Sequence, residues 1–293
     1  MNFNIFTFAR KVKKPLLLDG AMGSLLQNKG IKPSGELWTS LANIKNPEIV
    51  YNIHLNYIKA GADIITTNTF RTNPVAVYSQ SKIKFERFVK ASVQIAKDAA
   101  KYFNVMTAGS NAPAEDCYQV KRKVSKKQLE INHKKHIDEL MKNGCDFVLN
   151  ETQSHFDEIK IICDHCYTKN VPFVISLLVS NNLKLLSGEN LLEVIKYIQD
   201  KNPLSIGFNC ITQNIFSKII GRLKLDFNWG FYLNLGAENY HSENLITDIT
   251  PKSYAKFVNK YFNKLPSFVG GCCGSNPNHI KILRKMLDGK FNN

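Results

Sequence analysis

Asp146-Phe-Val-Leu-Asn-Glu-Thr152 and Pro172-Phe-Val-Ile-Ser-Leu-Leu-Val-Ser180 are two largely apolar segments, and a segment with helical spacing joins them. One face of the joining helix carries Ile159, Ile162, Cys163, Cys166 and Tyr167. Parallel strands that are covered on both sides read as apolar runs, and a helix connects each such strand to the next. This part of the sequence therefore predicts a parallel sheet covered by helices.

The same alternation continues outward in both directions and occurs eight times. The predicted strands are 16–20, 62–69, 104–110, 146–152, 172–180, 204–210, 230–235 and 267–272. Helix starts are marked by Asn46-Pro47, Thr250-Pro251 and Asn276-Pro277, and by a capping box of Ser125 and Gln128. An open doubly wound sheet would show a similar alternation, but no glycine-rich dinucleotide turn follows the first strand.

The count of eight favours closure, so we predict an α/β protein with a single (β/α)8 TIM barrel. We expect one domain over residues 1–293, in which 1–14 form a short N-terminal extension, either a tail or a plug across the barrel floor.

The composition of the chain limits the kinds of molecule that we expect it to bind. The chain has 39 Lys and Arg against 24 Asp and Glu, a net charge of +15, but the charge is scattered. The densest basic cluster, 121–127, lacks the interleaved aromatic residues that stack on bases, so we predict no nucleic-acid partner. No apolar run approaches the roughly 20 residues of a membrane-spanning helix, so we predict no membrane partner. Seven cysteines without an export signal indicate the reducing cytoplasm, where thiols stay free or bind metal.

Three of these cysteines fall at predicted strand ends, where TIM barrels carry their active sites. Cys210 closes the sixth strand, and Cys272 and Cys273 close the eighth, so the three thiols are expected to converge. Adjacent strand residues face opposite ways, and we expect the flanking glycines Gly270, Gly271 and Gly274 to let both thiols turn inward. Three protein ligands with an open fourth position are typical of catalytic zinc, whereas a buried cysteine taken singly is more often packing.

The remaining cysteines and two helical histidines are interpreted without a metal. Cys163 and Cys166 are predicted to pack in the core, and Cys117 and Cys145 are given no role. His133 and His136 are interpreted as sheet-facing or rim residues.

Two carboxylates lie at the ends of otherwise apolar strands: Asp19 after strand one and Glu151 after strand four. Burying an acid is costly unless a positive or hydrogen-bonding group meets it, and the ammonium group of a substrate would do so. Thr66, Thr67, Asn68 and Asn150 add polar groups at the same rim, where loop anchoring is an equal alternative.

Five motifs carry a family resemblance that runs from end to end of the chain: Leu18-Asp-Gly-Ala-Met-Gly23, Gly61-Ala-Asp-Ile-Ile-Thr-Thr-Asn-Thr-Phe-Arg-Thr-Asn73, Asp146-Phe-Val-Leu-Asn-Glu-Thr152, Gly207-Phe-Asn-Cys210 and Gly270-Gly-Cys-Cys-Gly-Ser-Asn-Pro-Asn-His-Ile280. The chain resembles the homocysteine S-methyltransferases, including the homocysteine-binding barrel of cobalamin-dependent methionine synthase and betaine–homocysteine methyltransferase. The resemblance implies that Zn²⁺ is bound by Cys210, Cys272 and Cys273. It also implies a substrate site formed by Asp19, Gly20, Glu151, Ser176 and Asn234.

The resemblance also implies the reaction: zinc activates the homocysteine thiol, which takes a methyl group and becomes methionine. A chain of 293 residues has room for the barrel alone, so we expect a small sulfonium donor, S-methylmethionine or S-adenosylmethionine. One alternative is a homocysteine-activating subunit of a cobalamin- or folate-linked methionine synthase system. Another is a zinc-binding barrel that is not an enzyme.

Two segments depart from the family pattern. Asn111-Ala-Pro-Ala-Glu-Asp-Cys117 stands where the family usually has a Gly-Pro-Tyr-Gly type of loop. Tyr232-Leu-Asn-Leu-Gly236 has leucine where the family commonly has proline. The first departure affects the donor side of the implied pocket.

Overall fold

Eight parallel strands surround a common axis in the computed structural model, which describes residues 4–236 and 248–291. The strands are β1 (Leu16–Leu17), β2 (Ile64–Thr66), β3 (Met106–Asn111), β4 (Phe147–Gln153), β5 (Phe173–Leu177), β6 (Ser205–Asn209), β7 (Trp229–Leu233) and β8 (Phe268–Gly271). Strands β2 to β8 pair in chain order, β8 pairs with β1, and a parallel bridge between Leu18 and Ile64 completes the ring. This arrangement confirms the predicted TIM barrel, and every strand overlaps its predicted segment.

Helices precede, connect and follow the strands. They are α1 (Ile5–Lys11), α2 (Gly23–Asn28), α3 (Ala42–Lys45), α4 (Pro47–Lys59), α5 (Pro74–Gln80), α6 (Phe85–Ala100), α7 (Lys126–Lys142), α8 (Phe156–Lys169), α9 (Leu191–Gln199), α10 (Gln213–Arg222), α11 (Pro251–Asn259) and α12 (Pro277–Phe291). In the described ranges, no helix is both long and apolar enough to cross a membrane.

The helix starts follow the predicted signals with one exception. Ser125 and Gln128 form the complete capping box of α7, and the Thr250 side chain accepts a hydrogen bond from Ser253 N at the start of α11. Helix α4 begins at Pro47 as predicted, but the Asn46 side chain forms no cap hydrogen bond. The fixed φ of proline, which needs no partner, accounts for this start.

Helix α1 closes the floor of the barrel, at the amino ends of the strands. Phe6 is almost fully buried, and its ring makes edge contacts with Phe147 of β4 and Phe268 of β8. Arg10 donates hydrogen bonds to the carbonyl oxygens of Leu225 and Phe227 just before β7. The extension is therefore a plug over residues 4–14. Residues 1–3 lie outside the described ranges, and the assignment of 1–293 to one domain stays a prediction.

A buried carboxylate anchors the segment 111–124, which leads from β3 to α7 across the opposite end of the barrel. Glu158 accepts hydrogen bonds from Ala114 N (3.2 Å), Arg122 Nη1 (3.0 Å) and His133 Nε2 (2.9 Å). Burial alone would raise the pKa of Glu158, but hydrogen bonds and charge from His133 and Arg122 outweigh it and lower the pKa to about 2. The segment is thus tied to α7 and α8.

A second histidine extends this polar network to the strands. His136 Nδ1 donates to Asn111 Oδ1 at 2.9 Å, and Thr72 Oγ1 lies 2.9 Å from the other ring nitrogen. Asn111 Nδ2 in turn donates to Asn150 Oδ1 at 2.7 Å. His133 and His136 of α7 face the sheet, as predicted. Asn150 has a structural role, because its hydrogen bond with Asn111 links β4 to β3.

Candidate metal and substrate site

The three predicted cysteines meet at the carboxyl ends of β6 and β8. The Sγ atoms of Cys210 and Cys273 lie 3.6 Å apart, and all three Sγ atoms lie within 4.8 Å of one another. Metal–sulfur bonds of about 2.3 Å at tetrahedral angles place two sulfur ligands about 3.8 Å apart. The cluster therefore has the spacing for one shared metal ion. It is the one cluster of three such side chains with this spacing among the residues that the structure describes.

The backbone of these strand ends departs from regular geometry at Gly274, as predicted, and at Cys210. Gly274 has a φ of +77°, and a Cβ atom there would lie 2.5 Å from the backbone nitrogen of Gly236. Gly270 and Gly271 lie within β8 and keep strand geometry, so the departure expected at these two glycines was wrong. Cys210 itself has a φ of +55°, a conformation that non-glycine residues rarely adopt. Such strain is typical of functional positions.

Hydrogen bonds couple the three thiols of the cluster. Those with Cys272 and Cys273 lower the pKa of Cys210, and the Tyr118 hydroxyl, 3.1 Å from its sulfur, adds to the effect. The same hydrogen bonds with Cys210 raise the pKa of Cys272 and Cys273. A metal ion bound here would displace the thiol protons, because a cysteine ligand must be deprotonated.

Asp19 and Glu151 are buried at the same end of the barrel. Asp19 accepts hydrogen bonds from Thr66 N (2.8 Å) and Thr66 Oγ1 (2.9 Å), and Glu151 accepts them from Ser110 Oγ (2.5 Å) and the Tyr232 hydroxyl (3.3 Å). Burial raises the pKa of Asp19 to about 8 and that of Glu151 to about 7. No lysine or arginine of the described ranges lies within 4.0 Å of either carboxyl. The pair therefore lacks a positive partner.

A bulge in β4 turns Glu151 toward the interior. The pairing of β4 with β5 shifts register between Asn150 and Gln153, and Thr152 has a φ of +59°. Asn209 of β6 holds this conformation, because its side chain accepts from Thr152 N and donates to Thr152 Oγ1, both at 2.9 Å. Bulges commonly redirect side chains beside active sites.

A cavity of about 480 Å³ connects these groups. Its wall includes all three cysteines and the predicted substrate residues Asp19, Gly20 and Glu151. Ser176 and Asn234 do not line it: Ser176 is fully buried in β5, and the Asn234 side chain accepts a hydrogen bond from Gly236 N. Their proposed contact with substrate stays a prediction.

Comparison with known proteins shows the family of the chain. The family model described as homocysteine S-methyltransferase matches residues 16–287. The chain belongs to the homocysteine S-methyltransferase family. The resemblance in the sequence motifs is thereby confirmed, and so is the prediction of a methyltransferase enzyme.

Relatives in the family match nearly the whole chain. A betaine-homocysteine S-methyltransferase of Drosophila melanogaster is 27% identical over 320 residues, which cover 94% of this chain and 95% of that protein. Homocysteine S-methyltransferase 3 of Zea mays is 24% identical and covers 93% and 90%. The metallated form of homocysteine methyltransferase MmuM from Escherichia coli has the same fold, with a TM-score of 0.80 and 22% identity over 96% of this chain and 99% of that one.

The segment 111–124, which begins with the departing residues 111–117, brings two unpredicted side chains to the site. Cys117, which was given no role, lines the cavity, and so does Tyr118. Aromatic residues after a strand carry no local signal of such a contact, because the contact depends on how the segment folds back over β6. Cys163 and Cys166 pack in the core, as predicted.

Proposed function

We propose that this chain transfers a methyl group from S-methylmethionine or S-adenosylmethionine to the sulfur of homocysteine, giving methionine. A bond forms between the homocysteine sulfur and the methyl carbon as the bond from that carbon to the sulfonium breaks. The donor leaves as a neutral thioether, and the thiol proton goes to solvent. The proposal depends on one observation: three clustered thiols and two unpaired carboxyls line a single cavity.

Zinc is the proposed cofactor, held by Cys210, Cys272 and Cys273. Three thiolates at the observed spacing suit a tetrahedral zinc ion and leave its fourth position for substrate. When bound, zinc would supply the Lewis acidity that keeps the homocysteine sulfur deprotonated at neutral pH. A solved structure of MmuM is described as metallated, which supports a metal in this fold.

Asp19 and Glu151 are proposed to bind the ammonium group of homocysteine. A positive charge between them would favour their ionised forms and would offset the cost of burying them. Thr66 donates hydrogen bonds to both carboxyl oxygens of Asp19. Ser110 and Tyr232 each donate one hydrogen bond to a carboxyl oxygen of Glu151. These donors orient the carboxylates, and the carboxylates in turn orient the attacking sulfur.

The outer part of the cavity suits a cationic donor. Trp38 and Phe70 line it, and their rings are 6.1 Å apart in an edge contact. Trp38 is held there with a φ of +45°. Aromatic faces attract cations, and three thiolates carry one more negative charge than Zn²⁺ neutralises. A sulfonium donor would meet attraction from both sides.

Substitution of each clustered cysteine by serine tests the proposal. We expect wild-type protein to bind about one zinc ion and to methylate homocysteine with a sulfonium donor. Cys210→Ser, Cys272→Ser and Cys273→Ser should each lose both properties. Cys145→Ser is the matched control, because Cys145 is buried outside the cluster and should change neither. Full zinc occupancy and turnover in the three variants would refute the assignment.

Asp19→Asn tests the ammonium site. Loss of one buried charge opposite an ammonium group costs about 2 kcal/mol or more, so the KM for homocysteine should rise about 30-fold while zinc content stays constant. An unchanged KM would place the amino group elsewhere.

The two alternative functions predict different results. Turnover only with methylcobalamin or a methylfolate would indicate the homocysteine-activating subunit of a larger system. A zinc site that forms no new zinc–sulfur bond when homocysteine is added, as measured by zinc-edge absorption, would indicate a barrel without this activity.

We also propose a cytoplasmic location. All seven cysteines are free thiols in the structure, and the proposed site needs three of them reduced. Export to an oxidising compartment would oppose this function, and localisation of a tagged chain tests the proposal.

A further inference from the structure

Arg71 is a buried cation on the cavity wall, in the turn after β2. It is 9% exposed and lines the same cavity as Asp19 and the cysteine cluster. One guanidinium nitrogen, Nη1, donates a hydrogen bond to the backbone oxygen of Glu115 at 2.7 Å. A guanidinium has five N–H donors, so one backbone carbonyl satisfies only part of this group.

Two other arginines of the chain are paired with carboxylates, whereas Arg71 is not paired with one in the described ranges. Arg122 pairs with Asp157 and Glu158, and Arg284 pairs with Asp63. For Arg71, no carboxylate oxygen in the described ranges lies within 4.0 Å. Burying a guanidinium without a counter-ion is costly, and its planar fork matches a carboxylate in two parallel hydrogen bonds. The guanidinium of Arg71 therefore lines the cavity without a carboxylate partner from the described ranges.

Arg71 is hydrogen-bonded to the segment on the donor side of the cavity. Its contact with the Glu115 oxygen ties it to the segment 111–117, whose departure from the family pattern affects the donor side of the implied pocket. The ammonium group of homocysteine is assigned to Asp19 and Glu151, and neither carboxyl lies within 4.0 Å of Arg71. This placement favours the methyl donor, and not homocysteine, as the source of a carboxylate at Arg71.

The neighbours of Arg71 form the proposed donor side. Its guanidinium carbon lies 5.8 Å from the centre of the Phe70 ring, and Phe70 contacts Trp38. The cation-attracting rings and the carboxylate-attracting guanidinium are thus contiguous on one wall. A donor with a sulfonium at one end and a carboxylate at the other matches this wall.

We propose that Arg71 binds the α-carboxylate of the methyl donor, so that the site selects sulfonium donors built on an amino acid. This inference rests on the proposed function. S-methylmethionine and S-adenosylmethionine both carry such a carboxylate, whereas (3-aminopropyl)dimethylsulfonium is S-methylmethionine without it.

The test compares these two probes, S-methylmethionine and its decarboxylated counterpart, in zinc-loaded protein. We expect Arg71→Gln to raise the KM for S-methylmethionine about 10- to 100-fold and to leave the KM for homocysteine unchanged. The KM for the decarboxylated donor should not rise. Arg71→Lys, which keeps the charge but not the fork, should fall between wild type and Arg71→Gln. Arg87→Gln is the control, because Arg87 is exposed on α6.

Each other outcome overturns the inference. An equal loss with both donors would mean that Arg71 only holds Glu115, and a raised KM for homocysteine would assign the carboxylate to the acceptor. Calorimetric binding of the two probes gives a readout without turnover. If wild type binds S-methylmethionine but transfers no methyl group, the proposed function fails separately. Equal affinity for both probes would refute the role of Arg71.

Discussion

Replacement of Glu158 by glutamine removes the buried charge that ties the segment 111–124 to α7 and α8. The pKa of Glu158 lies at about 2 instead of its ordinary 4.5, because His133 and Arg122 favour the carboxylate more than burial disfavours it. A tenfold change in an equilibrium constant is about 1.4 kcal/mol, so this difference corresponds to about 3 kcal/mol of stability at pH 7. We therefore expect a loss of about 2–3 kcal/mol in Glu158→Gln.

The loss should depend on pH with a definite sign. A carboxyl whose pKa is lowered by folding stabilises the protein fully above its unfolded value of about 4.5. The stabilisation declines as the pH falls from there through about 2. The difference between wild type and variant should therefore be roughly 1 kcal/mol smaller at pH 4 than at pH 7.

Urea unfolding at both pH values measures the effect. Glu193→Gln is the control, because Glu193 is exposed on α9 and its replacement should change stability by less than about 0.5 kcal/mol. A loss below about 1 kcal/mol at pH 7, or the same loss at both pH values, would contradict the electrostatic explanation.

Three further changes test the floor, the interior and the site. Phe6→Ala should lower the free energy of unfolding by about 3–5 kcal/mol, as measured in urea. Phe8→Ala is the control and should lower it little, because Phe8 is 50% exposed. Equal effects would argue against the plug. Gly230→Ala places a Cβ atom 2.3 Å from the Phe268 ring and should cost about 1–3 kcal/mol, and an unchanged melting temperature would contradict this. Tyr118→Phe removes a hydrogen bond to Cys210 and should weaken zinc binding about tenfold in chelator competition; unaltered affinity would exclude this role.

The sequence determined the barrel and the identity of most groups in its site. Parallel strands that are covered on both sides are apolar on both faces, and the helices that connect them are apolar on one face only. The alternation of these two patterns over residues 146–180 therefore predicted the fold from the sequence. Because every strand of such a barrel ends at the same rim, the positions of Cys210, Asp19 and Glu151 at strand ends were enough to bring them together.

The tertiary structure alone decided what the loops and irregular backbone contribute. Tyr118 reaches Cys210 across 92 positions of the chain, a bulge turns Glu151 inward, and Arg71 lines the cavity without a carboxylate partner in the described ranges. Periodicity reports which face of a regular element is buried. It carries no information about how a connecting segment folds over distant strands, since that is set by packing and hydrogen bonds among residues far apart in sequence.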